Sequence, residues 1–512
     1  MPSLHRELEA KYDLDDTAEL PDLSSLLDGQ VFDGAVAEHR LEATYFDTAE
    51  HTLAAHRITL RRRKGGSDAG WHLKLPAADG ARQEVRLPLG RVARTVPAAL
   101  QAMVWSRTLG APLVPVATIT TRRREQKLLD ADARVVAEVA DDRVEARRVL
   151  PLEGAGTATG AAQSWRELEV ELVDGEPALL EAVDAALRAA GVQRSASGSK
   201  LARVLGPAPA PERRKPLTPK STAGAVVQAH LAEQVEQITV QDPQVRLDAP
   251  DSIHKMRVAT RRLRSALRTF RPLLPDELTR PLRDELKWLA AELGAARDAE
   301  VMRERLLRAV AAEDPALLLG AAGQGIDAPL SKAYAEAHVQ VVATLDGERY
   351  RKLLVDLHSL VTEPPFTGRA RRKAREILPG RVAKTYATLA KLVERAESAP
   401  SKEEREFLLH EARKAAKQTR YAAESVASVF GAEATAFAKA VTKVQEVLGE
   451  HQDSVVTRER IRDLAATTDS PAAAFALGRL HAQEEASGER AEQQFAQVWD
   501  RSSAKSLRRW LR

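Results

Sequence analysis

Carboxylates and cations alternate in two stretches at opposite ends of the first 206 residues. In an extended strand through Glu7-Leu8-Glu9-Ala10-Lys11, residues Glu7, Glu9 and Lys11 share one face, because side chains alternate with period two. Residues 165–172, Trp-Arg-Glu-Leu-Glu-Val-Glu-Leu, repeat the arrangement with three carboxylates. One such stretch alone is typical of a solvated strand face. Two of them, separated by basic strands, predict a closed sheet that holds a metal ion beside a polyanion.

Cations recur at alternate positions of three successive predicted strands: Arg57, Arg61, Arg63, Lys74, Arg82 and Arg86. A further strand over residues 118–129 carries Arg124 in one alternate set and Arg123 in the other. Most of these strands are joined as hairpins, and two helices interrupt them. This order predicts an antiparallel barrel in an α+β domain.

The composition limits the class of protein. The chain of 512 residues has 44% hydrophobic residues and no cysteine, which excludes disulfides and thiolate metal sites and suits a reducing compartment. No signal peptide is recognisable, and no apolar run approaches the ~20 residues of a membrane-spanning helix. We therefore expect a cytoplasmic protein with no membrane contact. The chain is too long for one core, which predicts at least two domains.

The first 206 residues resemble the CYTH domain, whose members are also called triphosphate tunnel metalloenzymes. The resemblance implies an eight-stranded antiparallel tunnel barrel with flanking helices, which binds a triphosphate together with Mg²⁺ or Mn²⁺. Members hydrolyse inorganic tripolyphosphate, thiamine triphosphate, nucleoside triphosphates or RNA 5′ triphosphates, and some cyclise ATP. The matching blocks are Glu7–Lys11, Tyr45–Thr48, Leu60–Arg63, Lys74, Arg82 with Glu84, Arg124-Glu125, Glu138 with Asp141, and Glu167–Glu171.

Site residues follow from the same resemblance. It implies the metal ligands Glu7, Glu9, Glu167, Glu169 and Glu171, and catalytic roles for Glu7, Glu9 and Lys11. It implies the triphosphate contacts Lys11, Arg61, Arg63, Lys74, Arg82, Arg124 and Lys200. The chain departs from the family at Arg62, where an apolar residue is common, and three consecutive arginines cannot all face inward. Phosphoryl transfer mainly requires positioning and charge neutralisation, which a metal and converging cations can supply.

Residues 207–220 are rich in proline and basic residues and predict a linker, because proline removes backbone donors and favours extended chain. We therefore expect two folding units, residues 1–206 and 221–505. Apolar residues recur with the helical period from Ser221 onward, which predicts an all-α domain. Helix breaks are expected near Pro243, Pro250, Pro275, Pro281, Pro315, Pro364 and Pro379.

The helical part contains an internal duplication. Residues 254–264 and 410–420 both read H-x-x-R-x-x-x-[RK]-x-x-R, and the motif L-G-x-x-[RQ]-D follows at 293–298 and 448–453. Such basic stripes usually pair with neighbouring carboxylates or face solvent, and the two histidines also suit core positions. Their recurrence favours an anion site. The candidate contacts are His254, Arg257, Arg261, Arg264, His410, Arg413, Lys414, Lys417 and Arg420.

Residues 221–505 resemble the CHAD domain, a conserved-histidine helical domain of two pseudo-symmetric bundles that accompanies CYTH domains in bacteria. The resemblance implies binding of inorganic polyphosphate in a basic groove, and guanidinium forks and ammonium groups suit such a repeating anion.

The combined prediction is a metal-dependent inorganic triphosphatase with inorganic triphosphate and long-chain polyphosphate as its partners, associated with polyphosphate granules. The alternatives are a non-catalytic polyphosphate-binding or granule-targeting protein, a CYTH-type adenylyl cyclase and a thiamine triphosphatase. Nucleic acid is disfavoured as a partner because the basic stripes lack interleaved aromatic residues. The oligomeric state is left open.

Overall fold

The computed structural model describes residues 3–20, 23, 31–77, 81–90, 95–151, 157–206, 215–314 and 322–512. The chain divides into two units, Met1–Arg213 and Arg214–Arg512. Within the described residues the first unit combines a sheet with short helices, and the second is almost wholly helical. The predicted α+β class is therefore confirmed. Most of the predicted linker, residues 207–214, lies outside the described residues.

The first unit is built around one antiparallel sheet. Its strands are β1 (Ser3–Glu7), β2 (Glu9–Leu14), β3 (Val31–Phe32), β4 (Ala37–Asp47), β5 (Thr59–Lys64), β6 (Gly70–Pro76), β7 (Arg82–Pro88), β8 (Val114–Leu129), β9 (Val135–Pro151), β10 (Thr157–Thr159), β11 (Gln163–Leu172) and β12 (Gln193–Arg194). Its helices are α1 (Thr52–Ala55), α2 (Ala98–Thr108), α3 (Pro177–Ala189) and α4 (Lys200–Leu205).

The first extended segment closes the curled sheet. Its first half, β1, pairs with β7, and its second half, β2, pairs with β11. Between these two partners the order is β7-β6-β5-β4-β8-β9-β11. With residues 3–14 counted as a single strand, the ring has eight strands, in agreement with the tunnel barrel that the family resemblance implied.

Among the described residues, apolar clusters pack on both faces of the ring. Outside it, Tyr12, Leu168 and neighbouring outward side chains pack against Val183 and Leu187 of α3. Inside it, the aromatic rings of Tyr45 and Trp165 join Leu201 and Val204 of α4 in a second cluster. The side chain of Ser199 accepts a hydrogen bond from the Ala202 N–H and caps α4. Lys200 is therefore the first residue of a helix that fills part of the barrel interior.

The second unit contains helices α5 (Ala223–Arg246), α6 (Ser252–Thr269), α7 (Asp276–Ala312), α8 (Ala322–Asp346), α9 (Glu348–Thr362), α10 (Ala374–Glu397), α11 (Lys402–Thr467) and α12 (Pro471–Ser502). Three 3₁₀ helices, Arg271–Leu273, Gly368–Arg371 and Lys505–Leu511, complete the described elements.

The duplicated motifs occupy matching helix pairs. In the first half they lie on α6 and α7, which meet at Pro275, 21 residues after His254. In the second half both lie on α11, which bends at Gly431, 21 residues after His410. Gly431 has φ 67° and ψ −140°, a conformation that only glycine adopts easily. The same corner is thus made by a proline in one half and a glycine in the other.

Three of the predicted helix breaks are wrong, since Pro243, Pro281 and Pro379 lie inside α5, α7 and α10. A proline removes one backbone hydrogen bond and bends a helix, but it does not end the helix where packing holds the flanking turns. Pro243 and Pro379 are both buried. The break at Pro315 lies outside the described residues. Among the described helices none is long and apolar enough to cross a membrane.

Candidate functional site

A cavity of about 250 Å³ lies inside the ring of strands and is called the tunnel below. Eight of its lining side chains are cations and seven are carboxylates, so the tunnel is densely charged and nearly balanced. The cations are Lys11, Arg61, Arg63, Lys74, Arg82, Arg86, Arg123 and Lys200. The carboxylates are Glu7, Glu9, Asp68, Glu125, Glu138, Glu169 and Glu171.

Three neighbouring strands, β5, β6 and β7, form the basic wall of the tunnel. Cα pairing sets Arg61 opposite His72 and Lys74 opposite Glu84, which brings the inward side chains of the three strands side by side. Because inward and outward positions alternate, Arg61 and Arg63 line the tunnel and Arg62 does not. Arg57 precedes β5 with φ 61° and is exposed, so it does not join this face as the sequence predicted.

Glu84 is the carboxylate around which the cations of the basic wall gather. Its fully buried carboxylate lies 3.9 Å from the Arg61 guanidinium and 3.8 Å from the Lys74 ammonium, and it accepts a short hydrogen bond from Arg86. Nδ1 of buried His72 lies 2.9 Å from the same carboxylate. Burial alone raises the pKa of Glu84, but the contact with His72 and the nearby cations hold it well below its usual range. A single carboxylate thus orients the cations of this wall.

Two arginines present unsatisfied donors. Burial and the neighbouring guanidinium groups of Arg61 and Arg123 lower the pKa of Arg63 to about 9. Asp68 forms a short ion pair with Arg63. The Nε atoms of Arg61 and Arg63 are buried without a hydrogen-bond partner among the described residues. Buried unpaired donors of this kind are costly, and an anion in the tunnel would satisfy them.

The acidic wall consists of the segment 3–14 and β11. Glu7 and Glu9 line the tunnel from the first, and Glu169 and Glu171 from the second, with Glu171 paired to Glu9 in the Cα register. The Lys74 ammonium lies 2.6 Å from Glu7. Burial raises the pKa of Glu9, but the ammonium groups of Lys11 and Lys74 outweigh it and hold that pKa below its usual value.

Lys11 and Lys200 are embedded among these acids. Lys11 lies 2.8 Å from Glu9 and forms a short contact with Glu169. The Lys200 ammonium lies 2.8 Å from Asp142, 2.8 Å from Glu167 and 2.7 Å from Glu169. Burial lowers the pKa of Lys200, but these carboxylates raise it above its usual range. Both lysines therefore remain charged inside the barrel.

The acidic wall could hold a metal ion near Glu171. Burial and the carboxylates of Glu7, Glu9 and Glu169 raise the pKa of Glu171 to about 7, and no ion pair to it is recorded among the described residues. A hard divalent cation would relieve this repulsion, and Glu7, Glu9 and Glu171 supply the oxygen ligands that Mg²⁺ and Mn²⁺ prefer.

Asp142, Glu167 and Glu169 form a tighter group, with ligand atoms within 4.8 Å of one another. The ammonium of Lys200 already neutralises this group, and Trp165 Nε1 donates to Glu167 at 2.5 Å. Glu7, Glu9 and Glu171 line the tunnel and could also hold a metal ion, although Lys74 pairs with Glu7 and Lys11 with Glu9. The structure does not bring Glu167 to the tunnel surface, although the sequence predicted it as a ligand.

Arg124 lies outside the tunnel, contrary to the prediction. It is 61% exposed and lies 3.6 Å from Glu38, which is itself exposed. The adjacent Arg123 points inward and contacts Asp142 at 2.7 Å and Glu169 at 2.5 Å. Cα pairing of Arg123 with Asp142 fixes which alternate set of β8 faces the interior. The resemblance to the CYTH domain implied that the alternate set of β8 that contains Arg124 faces inward. It named Asp141 and not the neighbouring Asp142, so the inward position of Asp142 was not predicted.

The second unit carries its own basic site, a cavity of about 530 Å³ between α6, α7 and α11. We call it the groove. Its lining includes Arg261 and Arg264 from the first repeat and Lys414 and Lys417 from the second, so the structure brings the two basic stripes together. Four further cations, Arg268, Arg280, Arg283 and Lys287, come from outside the predicted set, and Asp284 is the only carboxylate in the lining among the residues that the structure describes.

The duplicated motifs make the same ion pair twice. Arg257 contacts Asp298 at 3.1 Å, and Arg413 contacts Asp453 at 2.9 Å. Gly294 lies beside Arg257 and Gly449 beside Arg413, where an added β-carbon would lie 3.4 Å and 3.7 Å from the respective guanidinium groups. The predicted contacts Arg257 and Arg413 therefore hold their own helix pairs together and do not line the groove.

The two histidines also lie outside the groove lining. His254 is exposed, and His410 Nδ1 lies 2.7 Å from the side-chain oxygen of Gln452. Arg420 lies 3.2 Å from Glu424 on its own helix. None of these three predicted contacts lines the groove. The predicted basic positions on α6 and α11 cover a wider part of each helix surface than the part that faces the groove.

Comparisons with known proteins assign a family to each unit. The CYTH domain family matches residues 5–205, and the CHAD domain family matches residues 229–462. Two uncharacterized proteins of Mycobacterium tuberculosis, from strains CDC 1551 and H37Rv, are each 36% identical over 503 residues, which is 96% of this chain and 95% of theirs.

Solved structures resemble parts of the chain. PptA from Streptomyces chartreusis is 22% identical with a TM-score of 0.46, and covers 55% of this chain and 100% of its own. The CHAD domain from the plant Ricinus communis is 26% identical with a TM-score of 0.44, and covers 58% of this chain and 98% of its own.

Proposed function

The chain belongs to the family of proteins that join a CYTH domain to a CHAD domain, and from this membership we propose that its tunnel hydrolyses inorganic triphosphate while its groove binds polyphosphate. The observation that carries the proposal is one cavity in which the guanidinium groups of Arg61 and Arg63 lie together with the carboxylates of Glu7, Glu9 and Glu171. A metal-assisted hydrolysis of a phosphoanhydride bond needs both features at once.

Each wall would have its own task. Arg61, Arg63 and Lys74 would bind the oxygens of the phosphate chain, and Glu84 would hold those cations in place before the substrate arrives. Lys11 and Arg123 reach in from the acidic side and would meet the end of the chain that lies nearest the metal ligands. The bound Mg²⁺ or Mn²⁺ would supply charge neutralisation along the phosphate groups.

The groove supports the binding half of the proposal. Eight cations and one carboxylate line it among the described residues, and Asp276 pairs with two of those cations, Arg280 and Arg283. A polyanion would relieve the repulsion that remains among the others. Burial and the guanidinium groups of Arg413 and Arg261 lower the pKa of Lys417 to about 7, which shows how crowded the positive charge is. Among the described lining residues Tyr421 is the only aromatic one, and Arg420 and Arg262 lie over its ring.

The test is phosphate release by the purified chain from tripolyphosphate, thiamine triphosphate and ATP, each with Mg²⁺, Mn²⁺ or EDTA. We expect rapid, metal-dependent turnover of tripolyphosphate and little from the other two. Cyclic AMP and pyrophosphate as the products from ATP would instead identify an adenylyl cyclase. No turnover of any substrate, with polyphosphate still bound, would identify a binding protein.

A further inference from the structure

The groove does not end where the duplicated motifs end. Arg268 lies on the last turn of α6, and Arg280, Arg283 and Lys287 lie near the start of α7. These side chains extend the basic lining toward the corner between the two helices. Arg268 is exposed and has no recorded ion pair among the described residues.

The corner itself carries more cations. Arg271 opens the 3₁₀ helix Arg271–Leu273, and Arg369 lies in the 3₁₀ helix Gly368–Arg371. Thr367 ties the two together, because its N–H donates to the Leu273 carbonyl at 3.0 Å and its hydroxyl donates to the Pro272 carbonyl at 2.9 Å. The two arginines are therefore brought close to each other, and both are exposed.

Electrostatic effects connect these residues to one another and to the groove. Arg381 donates from Nε to the Thr269 carbonyl at 3.0 Å, at the end of α6. Burial, then Arg271 and Arg369, lower the pKa of Arg381. Asp276 forms ion pairs with the groove residues Arg280 and Arg283, and its pKa is lowered by them and also by Arg271. Arg271 thus acts electrostatically both on Asp276, the partner of two groove residues, and on Arg381.

The other repeat lacks this extension. Arg268 follows Arg264 by four residues, and the residue that follows Arg420 by four is Glu424. Glu424 neutralises its surroundings through contacts of 3.2 Å with Arg420 and 2.8 Å with Arg262. Among the described residues, the basic lining therefore continues past Arg264 in the first repeat, whereas Glu424 occupies the matching position in the second.

We infer that the groove and the corner cations Arg271, Arg369 and Arg381 form one continuous anion track, which makes the helical unit selective for long polyphosphate chains over short ones. A short chain fills the groove alone. A long chain leaves it past Arg271 and adds contacts on Arg369 and Arg381. This inference rests on the proposed binding of polyphosphate in the groove.

The test uses the full chain with Arg61→Gln and Arg63→Gln, so that the tunnel does not contribute to binding, with metal chelated. Into it we would place Arg271→Gln with Arg369→Gln, two exposed positions whose loss should leave the fold intact. The matched control, Arg462→Gln with Arg490→Gln, removes the same charge from exposed positions of the same unit that do not line the groove. The probes are short-chain and long-chain polyphosphate.

We expect the corner variant to bind long chains about tenfold more weakly, with the slope of log affinity against log salt smaller by about two, because each phosphate contact releases about one counterion. Binding of short chains should not change, and the control should match the parent. Equal affinity of the parent and the corner variant for long chains would refute the continuous anion track. It would not affect the proposed binding of polyphosphate in the groove. Failure of the parent to bind either probe, or equal competition by single-stranded RNA, would overturn the proposed ligand itself.

Discussion

The tunnel and the groove each gather eight cations, but they differ in what balances them. Seven carboxylates line the tunnel, whereas one lines the groove. In the tunnel, Glu84, Glu169 and Asp142 fix the cations in direct ion pairs. In the groove Asp276 pairs with Arg280 and Arg283, and burial together with the repulsion from Arg413 and Arg261 lowers the pKa of Lys417.

This difference in charge balance favours catalysis in the tunnel and ligand binding in the groove. A balanced site can hold its cations in fixed positions without a ligand, and fixed charges are what stabilise a transition state. An unbalanced site gains most of its stability when a polyanion arrives, and it needs no particular geometry to do so. The balance of charge, more than the number of cations, distinguishes the two sites.

Removal of a metal ligand should separate the two sites most strongly. We expect Glu9→Ala to lower tripolyphosphate hydrolysis by about 10²–10³-fold, because the substitution takes away a charged oxygen ligand and one of the two carboxylates that contact Lys11. Polyphosphate binding by the same variant, measured by calorimetry, should match the parent once both carry Arg61→Gln and Arg63→Gln. Unchanged hydrolysis would refute the metal assignment.

Neutralising Glu84 should show that the stability of the first unit depends on the carboxylates that pair with the tunnel cations. Glu84→Gln leaves Arg61, Lys74 and Arg86 without their shared anion, and we expect the first unit to lose about 3 kcal/mol in its free energy of unfolding. Tripolyphosphate should restore more of the lost melting temperature in this variant than it adds to the parent. The matched substitution Glu38→Gln, at an exposed surface pair, should leave the melting temperature unchanged.

Neighbouring arginines on β8 offer a test of orientation. Arg123→Gln should lower kcat/KM for tripolyphosphate by about 10- to 100-fold, because it removes an inward cation that contacts Glu169. Arg124→Gln, one residue away and outside the tunnel, should have almost no effect. A loss at Arg124 equal to that at Arg123 would show that the register of β8 and β9 is not the one described.

The pH dependence of the groove should be the smallest effect. Lys417 faces Arg413 on its own helix, Arg257 and Arg261 on α6, and Asp453. Its pKa of about 7 in the free protein must rise when a polyanion binds, so affinity should increase as pH falls through 7, by about tenfold from pH 8 to pH 6.

Lys417→Arg keeps the charge at every pH and should abolish this dependence. His254→Asn should leave it intact, because His254 is exposed and outside the groove lining. A dependence lost in the histidine variant and kept in Lys417→Arg would assign the titration to the wrong residue.

The sequence determined the class of the fold and most of the tunnel. Alternation with period two placed Glu7, Glu9 and Lys11 on one strand face, and Arg61 and Arg63 on another, whatever the register, because that period belongs to the strand itself. The helical period and the repeated motif likewise predicted two matching basic helices.

Where the local sequence pattern fits two residues equally well, only the tertiary structure decided which of them lies in a site. Arg123 and Arg124 alternate equally well, and Cα pairing of β8 with β9 selected the first. Glu167 carries the right chemistry for a metal, but Lys200 reached it from a distant helix. Arg280 and Arg283 belong to no motif and joined the groove because α7 packs beside α6. Each choice depends on residues far apart in sequence, and packing alone brings such residues together.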